Sequence, residues 1–114
     1  MVTYFQEVAE QDGVAVVRVG GHLDAHTAPQ LEEALGRLIE EAFSRVVLDL
    51  AELGYISSAG LGVLTGTLGA FRDRGGDLKL AAVPADALRV LDLLGFTQLL
   101  ELYETPAKAI AAFG

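Results

Sequence analysis

The residues Tyr55 to Gly62, Tyr-Ile-Ser-Ser-Ala-Gly-Leu-Gly, join two different hydrophobic periodicities. Upstream, Val46-Val47-Leu48-Asp49-Leu50 is a nearly unbroken apolar run and reads as a buried strand. Downstream, Leu61, Leu64, Leu68 and Phe71 recur at the spacing of one helix face. A chain that passes from strand to helix through serines and glycines is committed to an α/β design. A serine at such a junction lies at a helix N-terminus, where unpaired N–H groups and the macrodipole favour a negative group. Glycines beside it let another backbone or a phosphate approach. Two readings follow: Ser57 or Ser58 is a helix cap, or one of them is a functional hydroxyl.

The rest of the chain alternates strands and helices. Tyr4 to Val8 and Val14 to Val19 read as strands joined by a turn at Asp12-Gly13. Gly20-Gly21 loosens the chain before a loop from His22 to His26, and Thr27 with Gln30 forms a capping-box pair, Pro29 being tolerated in the first turn. Leu31, Ala34, Leu35, Leu38, Ile39 and Ala42 make one apolar stripe. Arg45 to Leu50 has too little alternation for a half-exposed strand and is predicted to be central. A second helix runs from about Ala59 to Arg74 and stops at Gly75-Gly76. Leu78 to Val83 is a strand, Pro84 to Leu94 a helix ending at Gly95, and Leu99 to Leu102 a short strand. Thr105-Pro106 starts a last helix with Ala109, Ile110 and Phe113 inward. These units predict one α/β domain over residues 1–114, a mixed, largely parallel sheet of about four to five strands packed with about four helices.

Composition narrows the function. With 114 residues, 52% of them hydrophobic, the chain can bury an ordinary core. It has no cysteine, hence no disulfide, zinc-thiolate site or thiol nucleophile. Met1 to Glu7 lacks the basic and apolar blocks of a signal peptide, which predicts a cytoplasmic protein. The uncharged run from Leu53 to Phe71 is long enough to span a bilayer, but its five glycines and the loop chemistry of Tyr55 to Gly60 mark it as a buried loop and helix. A formal charge of −8, with scattered basic residues, opposes a nucleic-acid partner and suits a basic protein one. Glu32, Glu33, Glu40 and Glu41 read as the solvated face of the first helix.

Ser58-Ala59-Gly60-Leu61-Gly62-Val63-Leu64 resembles the Asp-Ser-Ser/Thr-Gly-Leu-Gly phosphorylation motif of bacterial anti-sigma-factor antagonists, small proteins of the STAS family. The resemblance runs nearly end to end. Gly21-His22-Leu23-Asp24 with Thr27 looks like the family's Gly-x-Leu-Asp entry to its first helix. Val46 to Leu50 looks like its central strand, and Gly75-Gly76-Asp77-Leu78 like the turn into the next. The resemblance places Ser58 on the family's phosphorylated serine. Ser57 stands where that motif usually has Asp, and Ala59 where it has a second hydroxyl residue.

It also implies a function. The unphosphorylated chain would bind an anti-sigma factor and free a sigma factor. That anti-sigma factor would be a serine kinase acting on Ser58, opposed by a serine phosphatase. Asp24, Ser57, Ser58, Ala59, Gly60 and Gly62 would form the partner surface, Asp24 orienting the serine or contacting the kinase, on a monomer or weak dimer without cofactor. Two alternatives keep the fold: a constitutive assembly subunit of a stress-sensing or lipid-transport complex, and a small-ligand or nucleotide sensor using Ser57 to Gly62.

Other chemistry is weakly supported. Two histidines and one carboxylate at His22, Asp24 and His26 do not specify a metal, and both histidines read as surface residues; Asp24 has a bland role as the cap of the following turn. No Gly-x-Ser-x-Gly elbow or Gly-x-x-x-x-Gly-Lys-Ser/Thr loop is present, so Ser58 reads as a substrate site rather than a nucleophile. A small-residue row at Gly62, Gly66 and Gly69 needs a reason, since helix-interior glycine costs about 1 kcal/mol relative to alanine. Close internal packing is the reading slightly preferred over a flat surface for a partner.

Overall fold

The computed structural model describes residues 3–114. Met1 and Val2, part of the leader reading and of the 1–114 span, lie outside them. Six strands and four α-helices follow the order β1 (Tyr4–Gln11), β2 (Val14–Leu23), α1 (Ala28–Glu40), β3 (Arg45–Asp49), β4 (Leu53–Ile56), α2 (Ser58–Asp73), β5 (Asp77–Ala81), α3 (Ala85–Leu93), β6 (Leu102–Tyr103) and α4 (Pro106–Ala111). A single 3₁₀ turn, Phe96–Gln98, separates α3 from β6. The sheet runs β1-β2-β3-β5-β6, with β4 paired to β2. Only β1 is antiparallel to its neighbour; β2–β3, β3–β5, β5–β6 and β2–β4 are parallel. The α/β class and the four helices are as read from the sequence.

Local chemistry explains the elements. Asp12 and Gly13 both have positive φ, 55° and 79°, the backbone of a tight hairpin whose twist matches that of its strands. β3 is buried on both faces. Ala15, Val17, Val46, Leu48, Leu78 and Leu80 pack with Leu31, Leu35, Leu38, Leu61, Leu64, Leu68, Phe71 and Leu91 of the first three helices. On the opposite face Val14, Val16, Val47 and Ala81 lie under Ala109 and Ile110 of α4 and Phe113 just beyond it. After α2 the chain turns through Gly76, where any Cβ would overlap the backbone carbonyl of Ser44. Only glycine fits there.

Several boundaries differ from the sequence reading, each for a local reason. Gly20-Gly21 does not release the chain: β2 continues to Leu23, because Gly21, His22 and Leu23 pair with β4. Leu53 to Ile56, taken as loop, is that extra strand and raises the count to six. The strand expected at Leu99 to Leu102 lies at Leu102–Tyr103, since Phe96–Gln98 first closes a 3₁₀ turn. The capping box at Thr27 is not made. The Thr27 hydroxyl donates to the His22 carbonyl (2.8 Å) and accepts from the Asp24 N–H (2.9 Å), so it is not free to cap. Ala42 lies past the end of α1 with φ of 67° and is exposed.

Candidate functional site

Two loops meet at the end of β2. Parallel pairing sets His22 opposite Tyr55 and Leu23 opposite Ile56, so the next residues, Asp24 and Ser57, leave the sheet side by side. The Ser57 N–H donates to the Leu23 carbonyl at 2.8 Å and closes the junction. Gly60 is needed at the same point: a Cβ there would lie 2.6 Å from Leu23 Cγ and 3.2 Å from the Leu23 carbonyl oxygen. Its glycine lets the first turn of α2 rest on Leu23. Ala59, half-buried, packs on the main core beside it.

The two serines differ. Ser57 is the residue preceding α2, in extended backbone, but its side chain makes no cap. Its Oγ is buried without a hydrogen-bond partner. Ser58 opens α2, is exposed, and makes no side-chain hydrogen bond among the described residues. The expectation that one of them caps the helix is therefore not met: Ser57 Oγ makes no bond to the helix N–H groups, and Ser58 is already within the first turn. The first N–H groups of that turn have no intrahelical partner.

Asp24 does cap its own turn. Its Oδ1 accepts from the N–H groups of His26 (2.9 Å) and Thr27 (3.2 Å). Partial desolvation pushes the carboxyl up, but those two bonds, the Thr27 hydroxyl and nearby His26 outweigh it and hold Asp24 below the usual carboxylate range. It is a charged, fixed group at the rim. His22 and His26 are exposed, and among the described residues no three or more metal-ligating side chains cluster.

The glycine row of α2 is where packing and exposure decide. Ser58, Gly62, Gly66 and Gly69 follow at steps of four, four and three and share one face. Gly62, Gly66 and Gly69 are exposed, and a Cβ at any of them would meet nothing within 4 Å. The preferred reading of this row as internal packing is thus corrected: α1 and the sheet contact the leucine face, not this one. The row is a glycine strip about 16 Å long, beginning at Ser58 and edged by Thr65, whose hydroxyl is folded back onto the Leu61 and Gly62 carbonyls.

Two features were not anticipated from the sequence. Tyr55 is exposed and its ring meets that of His22 edge-on, with centroids 6.0 Å apart. Away from this site, Lys79 is buried between carboxylates, 3.2 Å from Asp77 and 2.7 Å from Glu101, beneath the ring of Phe113. Asp77 is also held by Arg72 at 2.9 Å, and Glu101 by the Tyr103 hydroxyl at 2.7 Å. Burial opposes the charge on Lys79, but its hydrogen bonds to Glu101 and Asp77 win and hold it above the ordinary lysine value. The i, i+2 spacing of Asp77 with Lys79 on β5, and of Glu101 with Tyr103 at the start of β6, was the available signal.

Residues 6–109 match the family model of the STAS domain. The chain belongs to the STAS domain family. It is 35% identical over 98 residues to the anti-sigma-B factor antagonist of Staphylococcus epidermidis, spanning 86% of this chain and 91% of that protein. The crystal structure of an anti-sigma factor antagonist from Mycobacterium paratuberculosis aligns with a TM-score of 0.83 at 30% identity, over 98% of this chain and 92% of that one. The anti-sigma factor antagonist SpoIIAA in its unphosphorylated form aligns with a TM-score of 0.80 at 21% identity, over 94% and 93% of the two chains, a likeness of fold. Among the described residues no helix is long and apolar enough to cross a membrane.

Proposed function

We propose that this STAS domain is an anti-sigma-factor antagonist whose partner surface is switched by phosphorylation of Ser58. Unphosphorylated, the chain binds an anti-sigma factor and releases the sigma factor that protein holds. The anti-sigma factor is also the serine kinase, and a phosphatase restores the hydroxyl. The observation that carries the reading is the exposed Ser58, unused by the fold, at the head of a bare glycine strip. In this reading Ser58 is the substrate of another enzyme and the domain itself performs no catalysis.

The chemistry supports a local switch. A phosphoserine adds about −1.5 to −2 charges and three acceptor oxygens at pH 7. On the free domain it lies at the N-terminus of α2, where N–H groups and the macrodipole accommodate it. Under a docked partner it must be desolvated or paired, and a surface fitted to a small hydroxyl offers neither. Ser57 is excluded as acceptor in this reading by its buried Oγ. Asp24, fixed and charged beside the junction, contacts the kinase; Gly60 keeps the helix start in place; Gly62 continues the contact strip.

The test uses the serine-kinase-type anti-sigma factors encoded in the source genome, each incubated with the domain, ATP and Mg²⁺. Intact mass should gain one phosphate, peptide mapping should place it on Ser58, and calorimetry should show binding that is lost on phosphorylation. Phosphate on Ser57 with Ser58 untouched would falsify the acceptor assignment. A domain that is neither bound nor phosphorylated by any of them overturns the function.

A further inference from the structure

Three residues before Ser58, Tyr55 leaves 54% of its surface exposed although its backbone lies in a paired strand. Ile56 turns into the core, and the pleat places Tyr55 on the other side. The edge-on contact with His22, 73° between ring planes, limits the freedom of the Tyr55 ring. Beside it a groove of about 270 Å³ runs between Gly54, Tyr55 and Ile56 on β4 and Asp86, Ala87, Arg89 and Val90 on α3. Its middle is apolar, and the 3.6 Å Asp86–Arg89 pair sits exposed at the rim. An apolar centre inside a charged rim is the anatomy of a protein contact.

We propose that Tyr55 is a specificity-determining residue of the partner surface, its ring and the β4–α3 groove taking an apolar side chain of the same anti-sigma factor that covers Ser58. This rests on the function proposed above. The single occupant follows from nearness: Tyr55 and Ser58 are both exposed and three residues apart, so their Cα atoms lie within about 11 Å of each other, inside the footprint of one protein contact. A partner large enough to cover one reaches the other. Tyrosine supplies rigid contact area at low entropic cost, and the His22 contact has already removed part of the ring's freedom. Asp86 and Arg89 stay largely in solvent at the rim, and selection falls on the shape of the side chain inserted in the apolar centre. A phosphate on Ser58 keeps its hydration shell beside this groove and so opens both contacts together.

The probe is the kinase-type anti-sigma factor that phosphorylates Ser58 in the assay above. Tyr55→Thr keeps a β-branched residue in the strand; Tyr55→Phe keeps the ring; Val8→Thr alters an exposed apolar residue on β1 as a control. Expected are a loss of affinity of at least about tenfold for Tyr55→Thr, near wild-type affinity for Tyr55→Phe and Val8→Thr, and, in phosphorylation kinetics, a raised KM with kcat kept. Thermal melts confirm that each is folded. If Tyr55→Thr binds like wild type while Ser58→Asp does not, the proposal fails and the function stands. Equal losses for the Thr and Phe variants also overturn it, since the hydroxyl rather than the ring would then be read. Should no anti-sigma factor bind the wild-type domain, both fall.

Discussion

Alanine substitutions on α2 should move stability in opposite directions at glycines only a few residues apart. Gly66 is exposed in the helix interior, and an added methyl meets nothing within 4 Å. Gly66→Ala therefore removes backbone entropy from the unfolded chain without strain, a gain of about 1 kcal/mol. For a domain of this size that raises Tm by about 4 °C. Gly62→Ala and Gly69→Ala should add similar amounts, since the three share no packed neighbour. Gly60→Ala should do the reverse, because its methyl falls 2.6 Å from Leu23 Cγ and 3.2 Å from the Leu23 carbonyl; overpacking of this kind costs about 1–3 kcal/mol. Urea and thermal unfolding of the four single variants decide the matter. If Gly66→Ala destabilises, the strip is packed or strained in a way that contradicts the geometry. The same variants then test the interface. A methyl forced between closely docked backbones should weaken anti-sigma binding by about 1–3 kcal/mol, while the domain itself melts higher. A stabilised Gly62→Ala, Gly66→Ala pair with unchanged partner affinity would place the contact elsewhere.

Further expectations follow from the same site and from the charge cluster. Ser58→Ala should fold and bind like wild type but resist phosphorylation, whereas Ser58→Asp should stay folded, helped by about 0.3–1 kcal/mol from the helix N-terminus, and lose partner affinity; isothermal titration with circular dichroism checks both, and equal affinities for folded wild type, Ala and Asp forms refute the switch. Asp24→Ala should fray the turn at His26–Thr27, seen as loss of amide-exchange protection there. Because the folded Asp24 carboxyl is held below its ordinary value, its contribution to stability is present above the unfolded value, about pH 4, and lost as pH falls through the folded one; a melt series from pH 6 to 2 in wild type and Asp24→Ala should converge at the acid end. Lys79→Met should cost about 2 kcal/mol in urea unfolding, since it removes charge-assisted bonds worth about 1.5–3 kcal/mol each, the one to half-exposed Glu101 being discounted for solvent. The raised folded value of Lys79 makes its contribution fully present below about pH 10.5 and lost as pH climbs through the folded value.

Much of the architecture could be read from periodicity because the core obeys it strictly. Leu61, Leu64, Leu68 and Phe71 face inward at helical spacing, and β3 is buried from Val46 to Asp49, as its lack of alternation required. What escaped was set by pairing rather than pattern. Leu53-Gly54-Tyr55-Ile56 is too short, and too interrupted by Gly54, to announce a strand; it becomes one because β2 runs past Gly20-Gly21 and offers an edge. The Thr27–Gln30 spacing satisfied the capping rule, yet Thr27 is claimed by the His22 carbonyl and the Asp24 N–H, partners within its own loop that depend on how the chain turns there. At the site, the nearness of the Asp24 loop to the serines came from the resemblance and not from spacing, because it depends on Leu23 lying opposite Ile56. The glycines show the limit most clearly. Gly60 and Gly62 look alike in the sequence, but one meets Leu23 and the other meets solvent.

That contrast bears on why such a domain tolerates three exposed glycines in a sixteen-residue helix. Together they forgo about 3 kcal/mol, a large share of the 5–15 kcal/mol that separates folded from unfolded domains. The leucine face and the sheet supply enough burial to carry that loss, so the strip can stay free of side chains. The glycines have no rotamers to order when a partner docks, and the one side chain at their edge, Thr65, is already tied to the Leu61 and Gly62 carbonyls, so the partner's backbone can come close to Ser58. Close approach makes the hydroxyl decisive: the shorter the separation, the less room remains for water around an added phosphate, and the larger its uncompensated desolvation. A bulkier helix face would hold the partner further off and leave space for hydrated phosphate. On this view the stability forgone along α2 and the sensitivity of the switch at its first residue have one physical origin.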